Sequence, residues 1–555
     1  MFPASRSLSI GNTFALALIL VARAGTAARA QAFDYAVEWS GAGGGLGTAV
    51  ARIGDVDGDG CEDFIVGAPY FGIPGNSRMG YFFIESGKTG SQITGYNGNP
   101  DSNLGQAVAG RIDVDGDGFL DVLIGAPYDD SAKPDGGVVY AYSPHLDTFP
   151  LTWFGKTSNG FLGSSVRSLE GDLDGDGIDD FIVGSPGSNS VDVISSKGKY
   201  VIFSNSGQSG AYFGGAVCRG GDLDNDHVVD YLVGSPDYVD SGGTATGRVT
   251  AFSGKDGSRI WAVDGAADSR FGVSLAQPGD LDGDGQGDIV VGAETHLDKN
   301  GNPTGCVTVL SGADHSVLYK VFGDNAGDAF GHCVNGAGGD IDDDGTVDFI
   351  VGAPQFIQSY VGYARTISGA TGATLFTFTE HTHDPNTKSE YGQAVCGGDF
   401  DNDGRTDVLV CGSNFDGSDG IVETWLTVVA SWNNYGSGWP GTNGVPGFVP
   451  LRNPAVGKTL TLDLDNSAGI RTVGTLLIGF NPASIPSGKG GTILVDPLVY
   501  LPISIPAGGL TITDTVPDNP ALYGFHIYMQ ALEGDLGASK RVSFTPGLDL
   551  RFGFD

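Results

Sequence analysis

One pattern of apolar and polar positions recurs seven times along the chain. In its first copy, small and apolar residues from Leu46 onward lead to an acidic loop that begins at Asp55, and the apolar run Phe64-Ile65-Val66 follows. A continuous apolar run of this length is typical of a strand that is buried on both faces. The seven acidic loops are spaced by 58, 59, 50, 58, 60 and 59 residues and begin at Asp55, Asp113, Asp172, Asp222, Asp280, Asp340 and Asp399.

Each copy also has the pattern for four strands. After the apolar run comes an alternating segment such as Gly247–Ser253, then a glycine-containing turn, Gly254–Gly257, and a fourth strand, Arg259–Val263. Four antiparallel strands in each repeat of 50 to 60 residues are typical of a β-propeller. The sequence therefore predicts an all-β fold, with a seven-bladed β-propeller over residues 33–430.

The two ends of the repeat region complement each other. The seventh copy has a third strand, Ile421–Ala430, but no fourth strand, and the N-terminal segment has an additional strand, Tyr35–Trp39. We expect this strand to complete the last blade and close the ring, which leaves no exposed first or last edge. A loose N-terminal arm is the alternative.

Residues 1–32 have the organisation of a signal peptide. Arg6 supplies a positive start, and Phe14–Ala22 is apolar but too short to span a bilayer. Ala28-Arg29-Ala30 and Ala30-Gln31-Ala32 both suit signal peptidase, so the cleavage site is open. We expect the mature chain to be soluble and secreted or at the cell surface, with no transmembrane segment.

The composition changes after Trp432. Residues 431–450 are rich in Gly, Pro and Asn and predict a linker. Residues 451–555 carry short strand-like runs and predict a β-sandwich, which is either a glycan-binding domain or an attachment or spacer domain. The strand-like runs are Thr459–Asp463, Gly474–Gly479, Val499–Ile505, Leu510–Thr513, His526–Gln530 and Arg541–Phe544.

The charge of the chain follows from the acidic loops. The chain has 555 residues, with 66 acidic and 29 basic side chains and a net charge of −37. Four aspartates in each of seven loops account for 7 × 4 = 28 of the acidic side chains. This charge argues against binding to nucleic acid or to an anionic membrane surface, since phosphate would be repelled.

The acidic loops have the residues of a metal site. Each loop carries aspartate at positions 1, 3, 5 and 9, and such closely spaced carboxylates repel one another unless a cation lies among them. Oxygen ligands in a flexible loop suit Ca²⁺ better than Mg²⁺ or Zn²⁺. The opening Asp-x-Asp-x-Asp-Gly resembles an EF-hand loop, and by that analogy position 7 adds a backbone carbonyl. We therefore predict up to seven Ca²⁺ ions.

The predicted ligands of each loop are its four carboxylates and one carbonyl group. The carboxylates are those of Asp55, Asp57, Asp59 and Asp63; Asp113, Asp115, Asp117 and Asp121; Asp172, Asp174, Asp176 and Asp180; Asp222, Asp224, Asp226 and Asp230; Asp280, Asp282, Asp284 and Asp288; Asp340, Asp342, Asp344 and Asp348; and Asp399, Asp401, Asp403 and Asp407. The carbonyl groups are those of Cys61, Phe119, Ile178, Val228, Gln286, Thr346 and Arg405.

Positions 4 and 6 of the loops give an independent test. A loop that wraps around an ion needs left-handed or otherwise unusual backbone at these positions, which favours Gly and then Asn or Asp. Position 4 is Gly, Asn or Asp in all seven loops, and position 6 is Gly in all but the fourth, which has His227. We expect the fourth site to be strained or weaker. Acidic turns that only increase solubility are the alternative.

These segments resemble FG-GAP repeats, the units of the integrin α-subunit propeller. Phe213-Gly214 corresponds to the first half of the motif, and Val66-Gly67-Ala68-Pro69 corresponds to the second half. The resemblance implies a seven-bladed propeller with calcium on one face and a role in adhesion or extracellular ligand binding. In that family only some blades hold calcium, and this chain lacks the family's transmembrane helix, so we expect a secreted bacterial relative and no integrin-type heterodimer.

The favoured function is extracellular adhesion or binding of a protein or glycan ligand. The alternatives are a structural component of the cell envelope and a calcium-dependent extracellular hydrolase or lyase. We predict no enzyme, no catalytic residues and no further cofactor, because the sequence has no serine nucleophile elbow, zinc-protease motif or phosphate loop. Two minor features stay open: a metal site at His381, His383 and Asp384, and a disulfide between Cys396 and Cys411.

Overall fold

The computed structural model describes residues 8–9, 33–41, 44–72, 78–355, 362–380, 390–413, 420–517 and 522–553. The regular elements of these residues are strands, apart from one 3₁₀ turn, Pro186–Ser188. The described residues fall into two compact units, one within residues 35–426 and one within residues 427–555 that also contains residues 8–9 and 33–34. The chain starts with strands β1 (Leu8–Ser9) and β2 (Phe33–Gly41).

Seven four-stranded sheets follow the seven repeats. Sheets I to VI each consist of four strands that are consecutive in the chain and antiparallel to their neighbours. Their strands are β3 (Ala49–Gly54), β4 (Asp63–Ala68), β5 (Tyr81–Glu85) and β6 (Gln92–Asn97) in sheet I; β7 (Ala107–Ile112), β8 (Asp121–Ala126), β9 (Val138–Ser143) and β10 (Thr148–Phe154) in sheet II; β11 (Ser165–Ser168), β12 (Phe181–Ser185), β13 (Ser190–Ile194) and β14 (Val201–Ser206) in sheet III; β15 (Ala216–Gly221), β16 (Asp230–Ser235), β17 (Arg248–Phe252) and β18 (Arg259–Asp264) in sheet IV; β19 (Leu275–Gly279), β20 (Asp288–Ala293), β21 (Cys306–Leu310) and β22 (Val317–Phe322) in sheet V; and β23 (Cys333–Gly336), β24 (Phe349–Ala353), β25 (Tyr363–Ile367) and β26 (Thr374–Phe378) in sheet VI.

Sheet VII has a different origin for its fourth strand. Its first three strands are β27 (Tyr391–Gly398), β28 (Asp407–Gly412) and β29 (Gly420–Thr427). The strand order is β2-β29-β28-β27, so the N-terminal strand lies at the edge next to β29. The N-terminal segment thus supplies the fourth strand of the last sheet.

The second strand of every sheet is buried along its whole length, as the continuous apolar runs predict. All residues of β4, β8, β12, β16, β20, β24 and β28 are buried. Clusters of apolar side chains combine residues of neighbouring sheets, as where Phe82 of sheet I packs with Tyr142 of sheet II. The repeats therefore share their cores with their neighbours.

The glycines of the repeated motif bring neighbouring sheets into backbone contact. A Cβ on the glycine near the end of a second strand would lie 1.9 to 2.1 Å from the carbonyl oxygen of a glycine that opens the next sheet. Only glycine permits this approach. The pairs are Gly67 and Gly105, Gly125 and Gly163, Gly184 and Gly214, Gly234 and Gly272, Gly292 and Gly331, and Gly352 and Gly392.

Sheets VII and I are in contact as well. The first strand of each sheet contacts the first strand of the next sheet along the chain, and β27 of sheet VII also contacts β3 of sheet I. The glycine that opens sheet I, Gly47, lies against sheet VII, where a Cβ on Gly47 would be 2.9 Å from Cβ of Cys411. Cys411 stands at the position that glycine has in the other second strands.

The second unit contains two larger sheets and a hairpin. One sheet has the order β1-β37-β32-β31, the other has the order β30-β40-β38-β33-β36 with β39 next to β38, and β34 pairs with β35. Side chains of both larger sheets, among them Leu462, Ile512, Leu476 and Ile527, form one buried cluster. The strands are β30 (Ser431–Tyr435), β31 (Phe448–Pro450), β32 (Thr459–Leu464), β33 (Thr472–Gly479), β34 (Pro482–Pro486), β35 (Thr492–Val495), β36 (Val499–Ile505), β37 (Leu510–Thr515), β38 (His526–Gly534), β39 (Val542–Phe544) and β40 (Gly547–Arg551).

The predicted linker at residues 431–450 needs correction. Both of its ends are strands: β30 pairs with β40, and β31 pairs with β32. Phe448 is fully buried in the cluster of the second unit, and the Tyr435 hydroxyl donates a hydrogen bond to the Leu494 carbonyl. These long-range contacts order a segment whose local composition favours a loop.

Candidate metal centres

Each acidic loop connects the first and second strands of a sheet, and its backbone folds around its own aspartates. In every loop, four backbone N–H groups donate hydrogen bonds to aspartate carboxylates. The N–H of position 6 donates to the aspartate at position 1, that of position 5 to position 3, that of position 7 to position 5, and that of position 2 to position 9. In the first loop the donors are Gly60, Asp59, Cys61 and Val56. The same four bonds form in the other six loops.

Positions 4 and 6 adopt the left-handed backbone that the sequence predicts. The φ angles at position 4 range from 59° to 81°, and those at position 6 range from 68° to 95°. His227 at position 6 of the fourth loop has φ 68°, which is strained for a residue with a Cβ. The residues at position 4 are Gly58, Gly116, Gly175, Asn225, Gly283, Asp343 and Asn402, and those at position 6 are Gly60, Gly118, Gly177, His227, Gly285, Gly345 and Gly404.

The aspartate at position 9 is the buried member of each loop. All seven of these side chains are 0% exposed: Asp63, Asp121, Asp180, Asp230, Asp288, Asp348 and Asp407. One carboxylate oxygen accepts the position 2 N–H at 2.6 to 2.8 Å in every loop. The start of the second strand thus fixes this carboxylate beneath the loop.

Burial gives these carboxyl groups an unusual electrostatic state. It raises the pKa of Asp63 and Asp230 to about 6 and that of Asp121, Asp180 and Asp348 to about 7, against the lowering effect of backbone hydrogen bonds. A nearby aspartate adds to the rise in each case, as Asp57 does for Asp63. A cation among these oxygens would favour the ionised form and reverse the shift.

The structure brings the carboxylates of positions 1, 3 and 9 together. In five loops, one oxygen of each lies within 4.8 Å of the other two, and two more groups of at least three possible metal ligands are present. The five groups are Asp55, Asp57 and Asp63; Asp113, Asp115 and Asp121; Asp172, Asp174 and Asp180; Asp222, Asp224 and Asp230; and Asp280, Asp282 and Asp288. These groups could each hold a metal ion.

Position 5 is not part of these five groups. In the first loop, Asp59 accepts hydrogen bonds from the Cys61 N–H and the Ser86 hydroxyl. The residue at position 7 contributes its N–H group to the hydrogen bonds of the loop, as Cys61 does in the first loop. Ligation by the position 5 carboxylates and by the position 7 carbonyl groups therefore stays a prediction.

Sequence reasoning missed a serine–glycine pair that supports each of several loops from the end of the third strand. In sheet I the Ser86 hydroxyl donates to Asp59, and the Gly87 N–H donates to Asp63. The equivalent glycine N–H donates to position 9 in sheets IV, V and VI, from Gly254, Gly312 and Gly369. The recurrence of Ser-Gly about 24 residues after position 9 is the signal in the sequence.

Sheet II departs from this arrangement. Its serine is followed by Pro144, which has no N–H group to donate. Oδ1 of Asp121 is accordingly buried without a hydrogen-bond partner. Asp121 belongs to the group with Asp113 and Asp115, and a buried carboxylate oxygen without a donor is suited to bind a cation.

The donor chemistry of the five groups fits a hard cation. Every ligand atom in them is a carboxylate oxygen, and hard divalent cations such as Ca²⁺ and Mg²⁺ prefer oxygen ligands. The ninth-position carboxylate is fixed by backbone hydrogen bonds, and positions 1 and 3 lie on a loop that is open to solvent. A cation can therefore reach a partly preformed site.

The other predicted features have separate outcomes. His381, His383 and Asp384 lie outside the described residues. All six cysteines are free, so Cys396 and Cys411 form no disulfide. The reason is their register, because Cys411 lies opposite Ala394 and Cys396 lies opposite Leu409. Within the described parts of the chain, no helix is both long and apolar enough to cross a membrane.

Two segments of the repeat unit match a known repeat family. The FG-GAP repeat family model matches residues 46–81 and 104–142, which contain the acidic loops of sheets I and II. The chain carries FG-GAP repeats. The matched segments include the glycines that join neighbouring sheets, Gly67 with Gly105, and the motif thus has a structural explanation.

The FG-GAP region is also similar to integrin α chains. The chain is 31% identical over 269 residues to integrin alpha-5 of Xenopus laevis, which covers 46% of this chain and 21% of that protein. It is 32% identical over 261 residues to integrin alpha pat-2 of Caenorhabditis briggsae, covering 40% and 20%. It is 35% identical over 178 residues to integrin alpha-6 of Gallus gallus, covering 30% and 16%. The similarity thus spans about a fifth or less of each relative's length.

Proposed function

We propose that residues 33–430 form a closed, seven-bladed, calcium-binding FG-GAP propeller that mediates extracellular adhesion by binding a protein or glycan ligand. Residues 451–555 form a β-sandwich, and residues 1–32 are a signal peptide that is removed on secretion. The protein acts at the cell surface or after release, as a binding protein rather than an enzyme. It does so without an integrin-type partner subunit.

The closed ring is supported by the contacts between sheets. Each sheet contacts the next through its first strand, and β27 of the last sheet contacts β3 of the first. Gly47 of sheet I approaches Cys411 of sheet VII in the way that the other motif glycines approach their neighbours. The N-terminal strand at the edge of sheet VII joins the two ends of the repeat region in one sheet.

Calcium is supported by the chemistry of the loops. The groups contain only carboxylate oxygens, and the loops carry further oxygen donors at positions 5 and 7. Ca²⁺ accepts six to eight oxygen ligands in flexible geometry, whereas Mg²⁺ requires a near-ideal octahedron and retains several water molecules. A nine-residue loop with two left-handed positions supplies the flexible coordination of Ca²⁺ more readily than the octahedral coordination of Mg²⁺.

The single observation that carries the proposal is the sevenfold recurrence of one loop geometry, with the same four hydrogen bonds and a fully buried aspartate in every copy. The proposed role in adhesion rests on the similarity of these repeats to integrin alpha-5 and integrin alpha-6. Calcium has an architectural role in this proposal, since it stabilises the loops between the first and second strands.

The test is binding of the mature chain, residues 33–555, to an array of glycans and matrix proteins, first with Ca²⁺ and then with a chelator. We expect a ligand that is retained with Ca²⁺ and lost with the chelator. The Gly285→His variant, which strains one loop only, serves as the control and should retain the ligand. Self-assembly of the chain without retention of any ligand would overturn the adhesion proposal in favour of a structural envelope component.

A further inference from the structure

A cavity of about 170 Å³ lies where the first strands of all seven sheets meet. Each of these strands, β3, β7, β11, β15, β19, β23 and β27, contributes at least one lining residue. Most of the lining residues lie between the middle and the end of these strands, and the strands lead from there into the acidic loops. The cavity therefore opens at the same end of the sheets as the loops.

Four arginines line this cavity in a chain that has a net charge of −37. Arg52, Arg111, Arg167 and Arg219 come from four consecutive sheets, I to IV. The lining contains one carboxylate, that of Glu170. Like charges that converge on one cavity repel each other, so this arrangement is costly unless an anion offsets it.

The four guanidinium groups have few partners among the described residues. The ion pairs of Arg52 and Arg111 with Glu62, and of Arg111 with Glu170, have N···O distances of 3.6 to 3.8 Å. These distances are longer than a charge-assisted hydrogen bond, which is about 2.7–2.9 Å. Arg167 and Arg219 have no ion pair within the described part of the chain, and Nε of Arg219 is buried without a hydrogen-bond partner.

Arg167 lines the cavity, and its charge acts on buried thiols of three other sheets. Burial raises the pKa of the thiols of Cys218, Cys333 and Cys396, which belong to sheets IV, VI and VII, and the charge of Arg167 opposes that rise at all three. One guanidinium group of sheet III thus influences three sheets. Gly338 leaves room for the guanidinium group of Arg52, since a Cβ at position 338 would lie 2.7 Å from Nη1 of Arg52.

We propose that this cavity, called here the arginine cavity, binds a small oxyanion through the guanidinium groups of Arg52, Arg111, Arg167 and Arg219. Guanidinium groups present paired N–H donors that match both planar carboxylates and tetrahedral sulfate or phosphate. Apart from Glu170, the remaining lining is uncharged, with Gln277 and Asn335 as further polar groups. The cavity has room for such a group, either as a free oxyanion or as the acidic group of a sugar.

The alternative is that the four arginines only offset the negative charge of nearby carboxylates. Glu62, Glu170 and Asp179 are the carboxylates in question, and Arg219 does lower the pKa of Asp179 against the larger effect of burial. That alternative leaves Arg167 and the buried Nε of Arg219 without a described carboxylate partner. An oxyanion in the arginine cavity accounts for both groups.

The experiment is titration calorimetry of the mature chain in buffer with Ca²⁺, using sulfate as the tetrahedral probe and glucuronate as the planar probe at constant ionic strength. We expect saturable binding of at least one probe with one site per chain. Arg219→Gln and Arg167→Gln should each weaken it at least about tenfold, because each removes charge-assisted hydrogen bonds. Arg259→Gln, which alters an exposed arginine outside the cavity, should leave it unchanged.

Thermal unfolding provides a second measurement on the same variants. The binding probe should raise the melting temperature of the wild type and of Arg259→Gln but not that of Arg219→Gln. The proposal is overturned if neither probe binds, or if Arg219→Gln and Arg167→Gln bind as tightly as the wild type. Because the calcium content of each variant is measured separately, loss of oxyanion binding is distinguishable from loss of calcium binding by the acidic loops.

Discussion

The two units of the chain both bury carboxylates, but they do so with different partners. In the repeat unit, each position 9 aspartate is held mainly by backbone N–H groups, and other aspartates of the same loop surround it. In the second unit, Glu533 and Asp535 are also buried, but each accepts a hydroxyl hydrogen bond in addition to backbone N–H groups, from Ser467 to Glu533 and from Thr442 to Asp535.

We expect this difference to separate a site that needs a cation from one that does not. Burial opposes ionisation of Asp535, but hydrogen bonds from Thr442, Gly537 and Ala538 hold its pKa below the ordinary value. In the loops, burial prevails and neighbouring carboxylates raise the pKa further, and burial likewise raises the pKa of Glu533 in the second unit. We therefore expect the second unit to be stabilised by its apolar cluster and internal hydrogen bonds, and the repeat unit to depend on a bound ion.

Removal of calcium should give the largest effect, and it should act on the repeat unit alone. Each site contributes about 2.7 kcal/mol when the free ion is at 100 times Kd, so seven sites stabilise the unit by more than 10 kcal/mol. We expect chelation to abolish hydrogen-exchange protection in strands such as β8 and β16 while β32 and β38 remain protected. Equal loss in both units would contradict the comparison.

The pH dependence of the ion-free chain should have an unusual sign. A carboxyl group whose pKa is higher in the folded chain than its ordinary 3.8 stabilises the fold at low pH, and this contribution is lost as pH rises through about 7. The ion-free repeat unit should therefore melt at a higher temperature at pH 5 than at pH 8. With Ca²⁺ bound the carboxylates are ionised, and the order should reverse.

Deletion of an apolar contact should destabilise the second unit whether calcium is present or not. Leu462 is 1% exposed in the apolar cluster, and Leu462→Ala should cost about 2–5 kcal/mol. Leu498 is 63% exposed, and Leu498→Ala should cost less than about 0.5 kcal/mol. Denaturant unfolding of both variants with Ca²⁺ and with chelator measures this; a calcium-dependent loss in Leu462→Ala would contradict it.

The buried aspartate of one loop should be important only when the ion is bound. Asp180→Asn keeps the shape of the side chain and removes its charge, so we expect loss of one Ca²⁺ and about 2.7 kcal/mol of stability in saturating calcium. In chelator the same change should be neutral or stabilising, because a buried charge is removed. Asp256→Asn, outside the loops, is the matched control and should change neither measurement.

The smallest effect should come from the strained fourth loop. His227 has φ 68°, and His227→Gly should relieve about 1 kcal/mol of backbone strain and tighten that site. The reverse change, Gly285→His, has open space around its Cβ and should weaken the fifth loop by a similar amount. Calcium titration of the two variants compares them directly, and equal affinities would mean that the backbone at position 6 does not limit binding.

Local repetition explains what could be predicted from the sequence. The loops and the buried second strands depend on residues close together in the chain, so the same residues at the same spacing define them. The predicted strand Val499–Ile505 agrees with β36 to the residue, and Arg259–Val263 agrees with β18 to within one residue. Positions 4 and 6 were predictable because left-handed backbone restricts which residues are tolerated.

Features that depend on distant residues gave no such signal. β31 forms because Phe448 enters an apolar cluster, although the surrounding composition is that of a loop. The four arginines of the cavity stand at unequal distances from their acidic loops, and only the packing of the first strands brings them together. The Gly87 N–H reaches Asp63 from the end of a different strand.

The most direct test of metal binding in every repeat is the number of calcium ions bound per chain. Elemental analysis of the mature chain after equilibration with Ca²⁺, combined with titration calorimetry, gives the number of ions bound per chain. We expect six or seven ions, with one in each acidic loop and the weakest binding at the fourth loop. A count of two or three would contradict the claim that every repeat is a metal centre.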